Sequence, residues 1–348
     1  MPVLDKENLL EVERYDRFVK DSPYSIVTQD LSWAKVKNHW KNEQVYVERK
    51  GEIVAAMSLL IRPVGKYSLI YAPRGPVCDI RDIDLVMELL DCVNIIAKQY
   101  KAFAFRFDPE VERTKELEES FIKKGFIVRN DKFSKEDLIQ PRFNMILDIK
   151  GKTEEALLKE FSPKTRYNLR VAAKNGISVR YSTSKEDLKL FYDLFTITCK
   201  RDGFLGRSFD YFIKIMDAFD DNKLRIYLAE YKGQVLSGAI AINYGRKMWY
   251  LYGASSNEKR NFMPNYAMQM EMIRWGLEEK CEIYDFGGVY VISKENGLYK
   301  FKEGFCRQKG VTEFIGEIER VYNKPIHWMF SHLVPSLIRM RKRIKQWL

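Results

Sequence analysis

The chain has 348 residues, 46% of them apolar, enough for two hydrophobic cores of ordinary domain size. Its net charge of +11 favours an anionic partner: nucleic acid, a phosphorylated substrate or an anionic membrane surface. Five scattered cysteines without CxxC spacing, three histidines outside any motif and no His/Asp/Glu cluster at metal-ligand spacing speak against a disulfide frame, a metal site and Ser-His-Asp chemistry.

The N-terminus is charged rather than signal-like and no apolar run reaches membrane-spanning length, so a cytoplasmic protein is expected. Strands are predicted within Lys41–Ile61, followed by a Gly65-Lys66 turn, an aromatic strand Tyr67 to Tyr71, an amphipathic helix over 84–99 and a strand Phe103 to Asp108. A helix over 114–124 ends at Gly125, and 130–141 reads as a polar loop. Asn144 to Ile149 is predicted as a strand that carries the chain into a second domain.

That domain opens with a helix, Thr153–Phe161. Ser162-Pro163 then has the form of an N-cap and first turn, predicting a helix over about 164–174. Arg166, Arg170 and Lys174 recur at i, i+4 and i+8, a basic stripe that either tracks phosphates or is a solvated face. A two-glycine loop from Thr198 to Phe212 presents Arg207, suited to bidentate phosphate contact, and Tyr211.

The Glu48–Ala56 segment then returns, 182 residues later, as Glu230–Gly238. The elements behind it return in the same order: a turn at Gly245-Arg246-Lys247, an aromatic strand Met248 to Tyr252, a helix over 264–279 and a short strand ending in Asp285. Duplication of one α/β domain around a shared cleft is the expectation. Beyond it lie Gly287-Gly288 at a strand end and the segment Gly297 to Phe305, rich in aromatic and basic residues. The tail, Val334 to Leu348, is basic and amphipathic, suited to an anionic membrane, to tRNA or to docking on the first domain.

No GxxxxGK[ST] loop and no GxGxxG after a strand are present, so group transfer would start from an already activated ester or thioester, without a cofactor. The repeated hairpin–helix–strand unit resembles the acetyltransferase-like (GNAT) architecture. Where such domains seat coenzyme A on a glycine-bearing turn, the second copy has Lys259 to Tyr266 with Pro264, and the first has Tyr71 to Pro76, both poor cradles for a pyrophosphate.

Gln29-Asp-Leu-Ser-Trp33-Ala-Lys35, Tyr71-Ala-Pro-Arg-Gly-Pro76, Phe161-Ser-Pro-Lys-Thr-Arg166, Gly253-Ala-Ser-Ser, Tyr284-Asp-Phe-Gly-Gly and Tyr299-Lys-Phe-Lys-Glu-Gly-Phe305 together resemble the FemABX aminoacyltransferases in their compact, FemX-like form. The resemblance implies two tandem GNAT-like domains, each a mixed sheet flanked by helices, with a cleft and no coiled-coil arm. The first would be 1–149 plus 318–348 and the second 150–317. It implies transfer of an amino acid from aminoacyl-tRNA to an amine of a peptidoglycan precursor, nucleotide-linked or lipid-linked. By the same resemblance Lys302, Phe301 and Asp108 are catalytic, and Lys35 or Lys37, Arg207, Tyr211 and Tyr252 bind substrate. An oxyanion-stabilising Lys302 fits the chemistry. Asp108, at an ordinary carboxylate pKa near 4, is expected to be a poor base and to orient the amine. Arg166, Arg170 and Lys174 are the tRNA-binding expectation. An acyl-coenzyme A N-acyltransferase and a non-catalytic RNA- or membrane-binding protein remain the alternatives.

Overall fold

A computed structural model describes residues 3–131 and 138–332. Along the chain run α1 (Leu9–Asp21), α2 (Leu31–Val36), β1 (Lys41–Arg49), β2 (Glu52–Val64), β3 (Tyr67–Ala72), α3 (Ile83–Gln99), β4 (Ala102–Phe107), α4 (Lys115–Lys123), β5 (Ile127–Arg129) and β6 (Phe143–Asp148). Then follow α5 (Glu154–Glu160), α6 (Pro163–Lys174), β7 (Ser178–Ser182), α7 (Lys185–Asp202), α8 (Phe209–Ala218), β8 (Leu224–Tyr231), β9 (Gln234–Tyr244), β10 (Lys247–Ser255) and α9 (Pro264–Glu278). The series closes with β11 (Ile283–Gly288), α10 (Gly297–Phe305), β12 (Val311–Glu313) and β13 (Glu317–Val321). The basic tail and residues 132–137 of the 130–141 loop lie outside the described residues. No described helix is long and apolar enough to cross a membrane.

The chain divides into two compact units, one built mainly from residues 28–139 and from the chain after 315, the other from 140–314. The first contains a six-stranded sheet in the order β1-β2-β3-β4-β13-β5, the second a seven-stranded sheet in the order β12-β6-β11-β10-β9-β8-β7. The strand at 143–148 does not stay with the first unit: it pairs with β11 and β12 and belongs to the second sheet. Each sheet is mixed, with one parallel pair, β3/β4 in one and β10/β11 in the other.

The internal repeat extends to backbone detail. Both hairpins turn on a Lys-Gly pair with positive φ, Lys50 at 53° and Gly51 at 85°, Lys232 at 49° and Gly233 at 79°. Two successive left-handed residues make a turn whose twist matches that of the flanking strands, and glycine adopts the second position without a Cβ penalty. Each hairpin shifts register at the same place, after Val47 in one and after Ala229 in the other. A lysine with positive φ also follows each matching helix, Lys101 at 50° and Lys280 at 55°. Four coincident departures from ordinary backbone geometry are hard to obtain from unrelated hairpins.

Helices close each sheet by amphipathic burial. In α3 the buried residues Leu85, Val86, Leu89, Leu90, Val93, Ile96 and Ala97 recur at three- and four-residue spacing and face the strands. The sulfur-rich face of α9, with Met268, Met272, Ile273 and Trp275, does the same in the second unit.

Candidate functional site

The second unit contains a cleft of about 840 Å³, and sheet geometry creates it. β10 and β11 pair in parallel at only three positions, Lys247↔Ile283, Met248↔Tyr284 and Trp249↔Asp285. Beyond them the strands part. β11 loses register with β6 between Asp285 and Gly288, and β10 shifts against β9 between Tyr250 and Tyr252. The gap between the separated ends is lined by Tyr250, Tyr252, Phe286, Gly287 and Gly288, with Phe301 and Lys302 at one side and Arg207 at another.

Lys302 is delivered by α10, and local packing fixes that helix. Asn296 caps it by accepting from the Tyr299 N–H at 2.9 Å. Phe305 packs in an aromatic cluster, its ring 5.1 Å from those of Phe161 and Phe286 and 5.7 Å from Tyr266, while Tyr266 meets Phe301 edge-on at 4.9 Å. Gly304 lets α10 lie against the start of α6: a Cβ there would fall 2.3 Å from Thr165 Oγ1, and the Ser162 N–H donates to the Gly304 carbonyl at 2.8 Å. Two motifs far apart in the chain, Phe161–Arg166 and Tyr299–Phe305, are thus two sides of one contact.

The Lys302 side chain is 5% exposed and donates from Nζ to the Gly288 carbonyl at 2.9 Å. Burial lowers its pKa to about 8, against the pull of the Asp285 carboxylate toward the charged form. Asp285 is buried too; it accepts from the Gly287 N–H at 2.7 Å and lies 3.5 Å from Lys247 Nζ. An ammonium has three donors, and Gly288 takes one, which leaves capacity for a charged oxygen in the cleft.

Across the cleft the Tyr252 hydroxyl donates to the Tyr211 hydroxyl at 3.3 Å, and the Arg207 guanidinium lies over the Tyr211 ring at 5.2 Å. Phe195 and Phe212 flank Tyr252 edge-on. Desolvation raises the Tyr211 pKa, keeping it a neutral donor. Arg201, in the last turn of α7, braces the end of β10 through the Ser255 carbonyl at 3.0 Å and Asn257 Oδ1 at 3.2 Å.

The structure therefore brings Arg207, Tyr211, Tyr252, Phe301 and Lys302 together around one cleft. It does not bring the basic stripe there. Arg166 turns back onto the carbonyls of Leu158, Lys159 and Phe161 at the C-terminus of α5, so it acts as a helix cap. Arg166 and Arg170 both border a second cavity of about 570 Å³ beside Leu169, Ile177 and Met270. Sequence reading missed Tyr266, Arg201 and Asp285 as site-builders. Tyr266 stands in the turn noted only for its missing glycines, and Asp285 is marked in the sequence as the end of a strand and as part of the Tyr284-Asp-Phe-Gly-Gly stretch, without a role of its own.

In the first unit Lys35 is exposed on α2, whose first turn Asp30 caps by accepting from the Ser32 N–H at 2.7 Å; Lys37 follows as the C-cap. Gln29 ties this region to the Tyr71–Pro76 loop, donating to the Pro73 carbonyl at 2.9 Å and accepting from the Ser58 N–H at 2.8 Å. Asp108 is 2% exposed, with Oδ2 accepting from the Tyr71 hydroxyl at 2.9 Å and Oδ1 from the Arg74 N–H at 2.7 Å. The expected ordinary carboxylate is corrected: burial pushes Asp108 up to about 7, with Arg74 opposing.

The FemAB family profile matches residues 10–232 and 229–335. The chain is 38% identical over 334 residues to UDP-N-acetylmuramoylpentapeptide-lysine N(6)-alanyltransferase of Weissella viridescens, covering 94% of this chain and 98% of that protein. It is 31% identical to lipid II:glycine glycyltransferase of Staphylococcus epidermidis, over 99% of each. The crystal structure of FemX superposes with a TM-score of 0.84 at 30% identity, covering 95% of this chain and all of that one.

Proposed function

The chain belongs to the FemAB family, and from that premise we propose that it transfers an amino acid from aminoacyl-tRNA to an amine of a peptidoglycan precursor. The relatives' names supply the acceptor class, and the ester of a charged tRNA is the donor that needs no further activation. One observation carries the reading: Lys302, buried yet cationic, sits with unspent donors where β10 and β11 part.

The chemistry follows from that geometry. A neutral precursor amine attacks the ester carbonyl, and the carbonyl oxygen takes the displaced electron pair as an oxyanion. A fixed ammonium in a water-poor cleft stabilises that charge, and removing such a donor costs about 2.7–4 kcal/mol. Collapse re-forms the carbonyl, breaks the ester C–O bond and leaves an amide; the amine's surplus proton balances the alkoxide leaving from the tRNA ribose. With its pKa near 8, Lys302 is mostly ammonium at pH 7, as the role requires.

Arg207, Tyr211 and Tyr252 form an aromatic and cationic shelf suited to the phosphorylated, ring-bearing part of a precursor. In the first unit, Lys35 and Lys37 are the proposed phosphate contacts. Asp108 is proposed to organise the Arg74 turn and the acceptor-binding surface, because both of its oxygens are already engaged. The place of action is then the cytoplasm, where charged tRNA is found.

The test is incubation with a charged bacterial tRNA pool and both nucleotide-linked and lipid-linked muropeptides, read by mass. A precursor heavier by one aminoacyl residue establishes the activity and names the amino acid. No gain with any tRNA, but acylation on adding acyl-coenzyme A, replaces it with the acyl-coenzyme A reading.

A further inference from the structure

Two segments that border the cleft expose large apolar side chains to water. After α7 these are Phe204, 47% exposed, and Leu205, 84% exposed; between β11 and α10 they are Tyr290, Val291, Ile292 and Leu298, each about half exposed. Phe204, Leu205, Tyr290 and Leu298 line the mouth of the cleft itself, and Val291 and Ile292 continue from Tyr290 outside its lining. An apolar cluster this dense at the opening of a cleft is unusual on a surface that faces only water.

Cations are interleaved with it. Lys200, Arg207, Lys294 and Lys300 are exposed on the same segments, and none has a carboxylate within ion-pair distance among the described residues. Asp202, Asp210, Glu258 and Glu295 are the acids nearby; Asp202 is held by Arg201 at 2.8 Å, Asp210 by Lys214 at 2.7 Å and Glu258 by Lys259 at 4.0 Å. Apolar side chains ringed by cations that lack a carboxylate partner match a surface with anionic headgroups over an acyl interior.

We infer that the mouth of this cleft docks on an anionic membrane surface, so that the cleft takes up its acceptor in lipid-linked form. The docking stands on the side chains just named; the statement about the acceptor rests on the proposed transfer reaction. This surface is made of residues within 200–207 and 290–300, a different part of the chain from the basic C-terminal stretch.

The decisive variant is V291E/I292E, whose positions are exposed and outside the cleft lining, so its melting temperature should match wild type. Sedimentation is measured with phosphatidylcholine vesicles, with and without phosphatidylglycerol. Wild type should bind the phosphatidylglycerol vesicles and release with added salt, and the variant should bind at least about tenfold more weakly. Its transfer to vesicle-held lipid-linked precursor should fall in step, while transfer to soluble nucleotide-linked precursor stays at the wild-type rate. Unchanged vesicle binding overturns the inference. An equal fall on both precursors also overturns it, because the loops would then be gripping substrate rather than membrane. If wild type transfers to neither precursor, the proposed reaction fails, and sedimentation alone still decides the docking.

Discussion

The two units share a hairpin with the same left-handed Lys-Gly turn and the same register shift, yet their parallel strand pairs end differently. In the first unit β3 and β4 remain paired through Ala72↔Phe107, and the acid that follows, Asp108, is sealed between Tyr71 and the Arg74 backbone. In the second, β10 and β11 separate after Trp249↔Asp285, and Lys302 and Phe301 border the gap. One scaffold thus yields a closed edge with its polar groups satisfied and an open edge with a cation held ready. On the proposed assignment, a duplicated fold needs only one strand pair unzipped to hold a reaction site, the closed copy being free to serve as support.

The sharpest way to break this comparison is Lys302→Met. If the open edge is the reaction site, kcat/KM falls by about 10²–10³-fold, as for loss of one oxyanion donor, while tRNA and precursor binding persist. Stability should move the other way. The folded-state pKa of Lys302 lies below its ordinary value, so at pH 7 the protein holds a buried charge that folding disfavours, and that penalty fades as pH rises past 8. Met removes it, so the melting temperature at pH 7 should equal or exceed wild type, with the gap narrowing toward pH 10. A folded variant with unchanged turnover would refute the assignment.

Next in size is Gly304→Ala. Its methyl would meet Thr165 Oγ1, forcing α10 away from α6; overpacking of this kind typically costs about 1–3 kcal/mol. Calorimetry should show the loss, and turnover should fall with it because α10 carries Lys302. Adding Thr165→Ala removes the obstructing atom and should recover most of both. Failure of that rescue would mean the α6–α10 contact does not set the site.

These pairs also show what the sequence could reveal. The repeat, its hairpin turns, the helices near 84–99 and 264–279 and the Ser162-Pro163 start of α6 are local signals, carried by turn chemistry and periodicity, and the structure has them where they were expected. The parting of β10 from β11 was not legible, because only their pairing partners decide where they separate. Arg166 illustrates the same limit. Its i, i+4 spacing to Arg170 is visible in the chain, but the carbonyls of α5 that engage it belong to an adjacent helix. Asp108 differs again: an acid at a strand end carries no mark of how completely its surroundings exclude water.

Asp285→Asn sharpens the open edge further. The carboxylate raises the Lys302 pKa against burial, so its removal should lower that pKa below about 8. The ammonium form is the active one, and activity is present below the pKa and lost as pH rises through it. The basic limb of the kcat/KM profile should therefore move to lower pH in the variant. At a fixed pH on that limb, activity should drop about tenfold for every pH unit by which the midpoint moves. Binding constants should change little. A basic limb that stays in place would separate Asp285 from Lys302.

The smallest effect is expected in the closed edge, from Asp108→Asn. Both carboxylate oxygens accept hydrogen bonds from within the first unit, and an amide keeps one acceptor for the Arg74 N–H while its NH2 group can meet the Tyr71 oxygen. Transfer should fall by no more than about tenfold. Stability gives the complementary reading. A carboxyl raised to about 7 when folded favours the protonated form, so its contribution is present at low pH and lost as pH rises through about 7. The Asn variant should therefore gain on wild type as pH climbs from about 4 to about 7 and hold level above that. If transfer instead drops by 10² or more and an acidic limb near pH 7 disappears, Asp108 is the base that accepts the amine's proton. The closed edge would then be catalytic despite its burial, and the contrast between the two strand pairs would no longer separate support from reaction site.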